Sequence, residues 1–305
     1  MFNIIGKRFW FFLISGIVIL VGIISLVSAG LPSGIEFSSG SMLTVKFEEP
    51  VEYDRFKEEL VSLGYTDAII QSAGEGQFLI RTHELSDSEK AQLESSLSER
   101  FGQVTEAQFS SVSPQVASET VNNAAIAVAI SAIGILLYVT WAFRRMPRPF
   151  HYGTCAIVAL LHDALIAVGM FSILGALMDW EINLMFITGL LAVIGYSVNN
   201  TVVVFDRIRE NLTKGIGSNF EAVVNNSLVE TLSRSVNTSL TTLTVVLALL
   251  LFVGATIQNF VVVLIIGIIA GTFSSVCIAP SLLVVWDRGE WGRFIPWRKT
   301  SNKKA

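Results

Sequence analysis

The chain has 305 residues, 52% of them hydrophobic and 15% charged, with a mean hydropathy of +0.61 and a net charge of −4. So apolar a composition excludes an ordinary soluble domain and points to a membrane protein, and the negative balance argues against a nucleic-acid partner. Cys155 and Cys277 lie in separate apolar runs and His83, His151 and His162 are scattered, so neither a disulfide framework nor a metal site is expected.

A spanning helix takes roughly 20 apolar residues, because about 30 Å of hydrocarbon is covered at about 1.5 Å per residue. The first such stretch is Phe9 to Ala29, behind Lys7 and Arg8. Its small-residue "VSAG" is a weak cleavage signal, and residues 1–30 read as an uncleaved anchor. Residues 31–118 form the one sizeable water-facing segment, with 15 acids against 6 bases. In "MLTVKF" Leu43, Val45 and Phe47 alternate as in a strand, whereas Tyr53, Phe56, Leu60 and Leu63 repeat at helical spacing. "DAIIQSA" and "QFLIRT" flank "GEG", a hairpin signal. "SDSE" at Ser86–Glu89 is a capping box opening a helix with Leu93, Leu97 and Phe101 inward, and "VTEAQFSSV" closes as a strand. Strand, helix, strand, strand, helix, strand describes a small ferredoxin-like α+β domain. It contains no nucleophile–base pair and no phosphate loop, so a binding or mechanical role is expected of it.

Residues 119–287 supply five more spans: Val121 to Phe143, Tyr152 to Leu177, Ile182 to Phe205, and two from the uncharged run Ser235 to Trp286, divided at "GATIQN" (Gly254–Asn259). The fold class is therefore an α-helical multi-pass membrane protein of six transmembrane helices, with the α+β domain between the first two. Between the fourth and fifth spans, Phe220, Val223, Val224, Leu228 and Leu232 make an amphipathic pattern suited to lying along the membrane surface. Residues 288–305 form a basic tail with Trp291 and Trp297, suited to anchoring at lipid. With the N-terminus inside, the inner segments hold 15 of the 21 Lys and Arg residues, and the short outer loops near Asp179 and Thr256 hold none. Both termini are thus expected to be cytoplasmic and residues 31–118 extracytoplasmic.

Four stretches carry a family likeness. "GYSVNNTVVVFDRIREN" (195–211) resembles the fourth-helix signature of SecF, the membrane subunit that works with SecD beside the bacterial protein-export channel. "GIEFSSGSMLTV", "HDALIAVGMFSILG" and "SLVETLSRSVNTSLTTL" resemble the family's entry into its outer domain, its third helix and the approach to its fifth. SecF is in turn similar to half of an RND-type transporter. The resemblance implies a non-enzymatic, cofactor-free subunit of the cytoplasmic membrane. With SecD it would use the proton or sodium gradient to promote late polypeptide translocation. The implied partners are SecD, the SecYEG channel, the unfolded exported polypeptide and membrane lipid. A non-coupling scaffold subunit is the alternative.

The family's coupling residues include an acid in the fourth-helix signature and an arginine at the start of the fifth helix. The arginine maps onto Arg234; the acid maps onto Asn200, where this chain departs from the pattern. Asparagine donates and accepts hydrogen bonds but carries no proton. Its carbonyl can ligate a hard cation such as sodium, or Asn199 and Asn200 can serve as interhelical glue worth about 0.6 kcal/mol per bond. Ser197, Asn200 and Val204 share a helix face. Arg234 reads either as a membrane-edge anchor or as a fixed charge facing an acid on SecD. His162 and Asp163 are the titratable pair well inside a span. Asp163 at mid-helix costs about 2.5–3.5 kcal/mol on insertion scales, which marks it as a functional candidate with His162 as a pH-sensitive neighbour. In the sixth span Gly267, Gly271, Ser275 and Ala279 recur every four residues as a close-packing face.

Overall fold

The computed structural model describes residues 3–74, 76–178, 180–252 and 255–293. Glu75, Asp179, Gly254 and the tail beyond Arg293, with Trp297, to which turn, loop and anchoring roles are assigned above, lie outside them. Six helical stretches among the described residues are long and apolar enough to cross a membrane. They follow from apolar runs whose backbone groups can be satisfied in lipid only within a helix. They are α1 (Arg8–Ser28), extended at its start by a short 3-10 turn, α5 (Pro114–Ala142), α6 (Pro149–Met178), α7 (Leu184–Thr213), α8 (Phe220–Phe252), and a sixth span built from α9 (Ala255–Phe273), a π-helical segment (Ser274–Ile278) and α10 (Ala279–Arg288). Of the break expected at Gly254–Asn259, the described part, Ala255–Asn259, is helical and belongs to α9.

The chain divides into two compact units, one of Met1–Gly30, Val128–Leu174 and Met185–Ala305, the other of Leu31–Ala127 and Gly175–Leu184. The second unit holds the sheet domain. After a short turn of helix, α2 (Ile35–Ser38), come β1 (Gly40–Phe47), α3 (Tyr53–Ser62), β2 (Ile69–Gly74), β3 (Gln77–Thr82), α4 (Asp87–Phe101) and β4 (Val104–Val112). All pairings are antiparallel in the order β2-β3-β1-β4, the arrangement expected of a ferredoxin-like domain. Its core is the inward set read from the periodicity. Leu43, Val45 and Phe47 of β1 meet Phe56 and Leu60 of α3 and Leu93 and Leu97 of α4. Phe56 stacks on Phe78 at 4.5 Å between ring centres, and Phe47 and Phe101 meet it edge-on. Tyr53 stays exposed and donates its hydroxyl to the Ile70 carbonyl instead.

Helix α5 begins at Pro114, inside the segment assigned by sequence to the sheet domain, and the compact unit continues to Ala127. Proline's missing N–H costs nothing at a first helical position. The residues joining α6 to α7 are stitched to the strand-like run before α2. Gly34 N–H donates to the Ile182 carbonyl at 2.7 Å and Ile182 N–H to the Pro32 carbonyl at 2.8 Å. Arg81 on β3 pairs with Glu181 and donates to the Ser33 carbonyl at 3.1 Å. Burial pulls the Arg81 guanidinium below its ordinary value, and Glu36 opposes that.

Within the first unit, α1 and α6 touch at backbone level: a Cβ on Gly22 would lie 3.0 Å from the Cα of Gly169. The same pair of helices shares the Ser25–Ser172 hydroxyl bond of 2.9 Å. Arg8, read from sequence as a flanking charge, is only 4% exposed. It pairs with Glu290 at 2.5 Å and Glu221 at 3.1 Å, tying the starts of α1 and α8 to the residues after α10. The amphipathic stretch from Phe220 does not form a separate surface helix, because nothing between Phe220 and Phe252 breaks the helix. Its inner face turns to α7, where the Asn211 amide donates to Ser227 at 3.0 Å and to Glu230 at 2.8 Å.

The capping box is complete: Ser86 N–H donates to Glu89 at 2.8 Å and Glu89 N–H to the Ser86 hydroxyl at 3.4 Å. Hydrogen bonds from Ser86 hold the Glu89 carboxyl below the usual carboxylate range. A depressed carboxylate contributes above its unfolded-state range and loses that contribution as the pH falls through the folded one. The Ser86→Ala substitution is expected to cost about 1 kcal/mol, read as faster amide exchange at Asp87–Lys90. Wild-type protein is expected to show the same fraying on acidification into the carboxylate range.

Candidate functional site

Four spans converge on one carboxylate. Asp163 is 2% exposed. Its Oδ2 accepts from the Ser197 hydroxyl of α7 at 2.5 Å and from the Ser274 hydroxyl, first residue of the π-helical segment, at 2.8 Å. Its Oδ1 lies 2.9 Å from Nδ1 of His162, and Nε2 of the same ring lies 2.9 Å from the hydroxyl of Ser15 on α1. Phe273 lies over the imidazole with ring centres 6.3 Å apart. Both oxygens of the carboxylate thus meet polar partners, which a buried charge requires.

The π-helical segment has a local cause. Pro280 cannot donate to the carbonyl of Val276, so the ordinary ladder fails there and the wider turn absorbs an extra residue. That insertion shifts the helix phase. Ser275, on the close-packing stripe expected from sequence, is buried but donates to the Thr272 carbonyl at 3.0 Å, while Ser274 reaches Asp163. Sequence reasoning missed Ser15 and Ser274. Lone serines in apolar runs are too common to single out, and only Pro280 signalled the irregularity.

Asn200 is 3% exposed, as are the neighbouring positions Ser197 at 1% and Val204 at 0%, so the expected inward face of α7 is the inward face. Asn200 belongs to a second polar group: its amide donates to Ser239 of α8 at 3.4 Å. Ser239 also accepts from Tyr196 at 3.0 Å and from Thr272 at 2.6 Å. No carboxylate takes part. Asn199 departs from expectation. It is exposed, without a hydrogen-bond partner among the described residues, because it lies 100° around the helix from Asn200 and off the buried face; it is not a packing residue within this chain. Arg234 stands fourteen residues into α8 rather than at its start, is exposed, and has no ion-pair partner among the described residues.

Gly267 and Gly271 bring the sixth span against α7. A Cβ on Gly267 would lie 2.1 Å from a Val193 methyl, and one on Gly271 would lie 2.9 Å from Ser197 Cβ. The second contact sets the distance between Ser197 and the span that supplies Ser274. Substituting Gly267→Ile is expected to overpack this seam at a cost of about 1–3 kcal/mol. A lower midpoint of thermal unfolding in detergent, with unchanged sheet-domain exchange, is the expected readout.

Residues 92–289 match the family model described as protein export membrane protein SecD/SecF, C-terminal. The chain is 43% identical over 317 residues to the protein translocase subunit SecF of Thermobaculum terrenum, covering 100% of this chain and 99% of the relative. It is 41% identical to SecF of Anaerolinea thermophila over 100% of this chain and 99% of that one. With SecDF of Bacillus subtilis the identity is 35%, over 93% of this chain and 38% of the relative. The crystal structure of SecDF, a translocon-associated membrane protein from Thermus thermophilus, superposes with a TM-score of 0.84 at 32% identity, over 94% of this chain and 39% of that one. Six apolar spans, an antiparallel sheet domain between the first two, and similarity along the whole length make this chain a member of the SecF family of membrane protein translocase subunits.

Proposed function

We propose that this chain is the SecF half of a two-part translocase that acts with a SecD-type half to drive late polypeptide export on an ion gradient, without enzymatic chemistry of its own. The observation that carries it is a polar stripe on α8. Arg234, Asn237, Thr238 and Thr241 are all exposed and lie on one helical face. Arg234 is eighteen residues from the helix end at Phe252, about 27 Å along the axis, which puts it at one edge of a hydrocarbon layer about 30 Å thick, with Asn237, Thr238 and Thr241 running inward from it. Exposed polar side chains entering that layer behind an arginine favour a partner that covers them. The single-chain SecDF relatives, of which this chain spans about two fifths, supply the kind of partner: a second half in the same membrane. An acid on that half, paired with Arg234, would provide the charge that Asn200 does not.

Lysine and arginine placement supports cytoplasmic termini and an extracytoplasmic sheet domain. The acidic sheet domain would then meet the emerging polypeptide beside the SecYEG channel. The scaffold alternative draws on Asn200, a neutral group bonded to Ser239 at the position where the resemblance expects an acid. The two are separated in inverted membrane vesicles containing this chain, its SecD-type partner and the channel. Arg234→Ala is expected to remove the stimulation of translocation by an ion gradient while the complex still co-purifies. A gradient effect unchanged in Arg234→Ala, with a smaller yield of complex, leaves only the scaffold.

A further inference from the structure

We infer that Asp163 and His162 form a proton-binding site inside this subunit, held by hydroxyls from three other spans. The inference rests on the ion-driven reading of the chain for its use, but the site is defined by its own geometry. The imidazole is engaged at both nitrogens, Nδ1 with Asp163 and Nε2 with Ser15, each at 2.9 Å. With Nδ1 donating to Asp163, a neutral ring accepts at Nε2 from the Ser15 hydroxyl. Adding one proton to Nε2 makes the ring cationic, and Ser15 turns from donor to acceptor. A hydroxyl serves either role by rotating its O–H, so the proton enters without displacing a heavy atom. Loading takes the pair from a net charge of −1 to zero, and unloading returns one proton to water.

The surroundings favour a proton over a metal cation. Asp163 Oδ2 is taken by Ser197 at 2.5 Å and Ser274 at 2.8 Å, and Oδ1 by the imidazole. Those partners are an imidazole and two hydroxyl donors, whereas a hard cation takes several oxygen acceptors in place of such donors. Among the described residues no three His, Cys, Asp or Glu side chains gather into a metal-binding group. The groups facing the pair are Ser15 from α1, Ser197 from α7, and Phe273 and Ser274 from the sixth span. None is charged. Arg8, two turns before Ser15, is held by Glu221 and Glu290. The net charge of the pair therefore falls on the protein uncompensated when the proton leaves, which is costly at membrane depth.

Two features connect the site to its surroundings. Ser15 also lines a cavity of about 350 Å³ whose other walls include Val18, Ile166, Met170, Ile269 and Phe273. On the opposite side Ser274 opens the π-helical segment, a stretch of helix whose bonding already departs from the α ladder. Loss of the proton weakens the closure of α6 on α7 and on this segment, because a net anion draws in water.

The test uses the complex of this chain with its SecD-type partner. In pH-difference infrared spectra, carboxyl and imidazole bands are expected to change together. Those changes are expected to vanish in Asp163→Asn, which keeps the shape but removes the charge and replaces one acceptor oxygen with an amide donor. Native spectra without paired changes overturn the site. Should Asp163→Asn fail to assemble, aspartate-specific 13C labelling of the native chain with Ser274→Ala identifies the band: a shift assigns it to Asp163, and no shift overturns the assignment. In vesicles, loss of gradient-stimulated translocation in an assembled Asp163→Asn complex is the expected result. A native complex that responds to the gradient and an Asp163→Asn complex that responds equally overturn the site while leaving the function standing. A native complex indifferent to the gradient overturns the ion-driven function, and the infrared titration still decides the site.

Discussion

Asp163 is an expensive side chain to bury in the membrane unit, and much of the arrangement around it follows from that cost. A carboxylate among apolar helices needs donors, and a single helix cannot supply them, because its own backbone groups are committed to the helical ladder. The donors come instead from α7 and the π-helical segment, with His162 beside it and Ser15 of α1 behind the imidazole. Four spans are thereby held in one register. Hydrogen bonds of this kind fix which faces meet, whereas dispersion between apolar faces in lipid tolerates sliding.

Close backbone approach makes those hydrogen bonds possible. Gly271 against Ser197 and Gly22 against Gly169 remove the side chains that would hold the helices apart. A serine hydroxyl is short, and it reaches a carboxylate on a neighbouring helix only when the axes come this near. Pro280 contributes by a different route: it breaks the ladder one turn after Ser274 and so re-aims the preceding residues. Small residues, a proline and three serines, each unremarkable alone, combine into one polar centre in an apolar body.

Asp163 and Asn200 find their partners inside the chain, while Arg234 has no ion-pair partner among the described residues and Asn237 and Thr238 on its face are exposed. In the proposed complex a SecD-type half in the same membrane covers that face. With Asn200 neutral, the proposed proton site rests on Asp163 and His162, and the proposed role of Arg234 rests on an acid supplied by the partner. Asp163 lies on α6 and Arg234 on α8; α7 reaches the first through Ser197 and joins α8 through the Asn200–Ser239 bond.

Six spans, the sheet domain's element order and its core were legible in the sequence because local rules determine them. Apolar run length sets a span, alternation sets a strand such as Leu43–Val45–Phe47, and Ser86–Glu89 announces its own helix start. The buried face of α7 was legible for the same reason, since Ser197, Asn200 and Val204 follow helical spacing. Asp163 stood out because charge in a span is rare. The partners of Asp163 did not stand out, since Ser15 and Ser274 lie 148 and 111 positions away and any of the chain's many serines could have served. The outward turn of Asn199, the burial of Arg8 and the continuity of α8 through Arg234 also waited for the tertiary structure. Each depends on helix rotation and on contacts between distant segments, which no local pattern encodes.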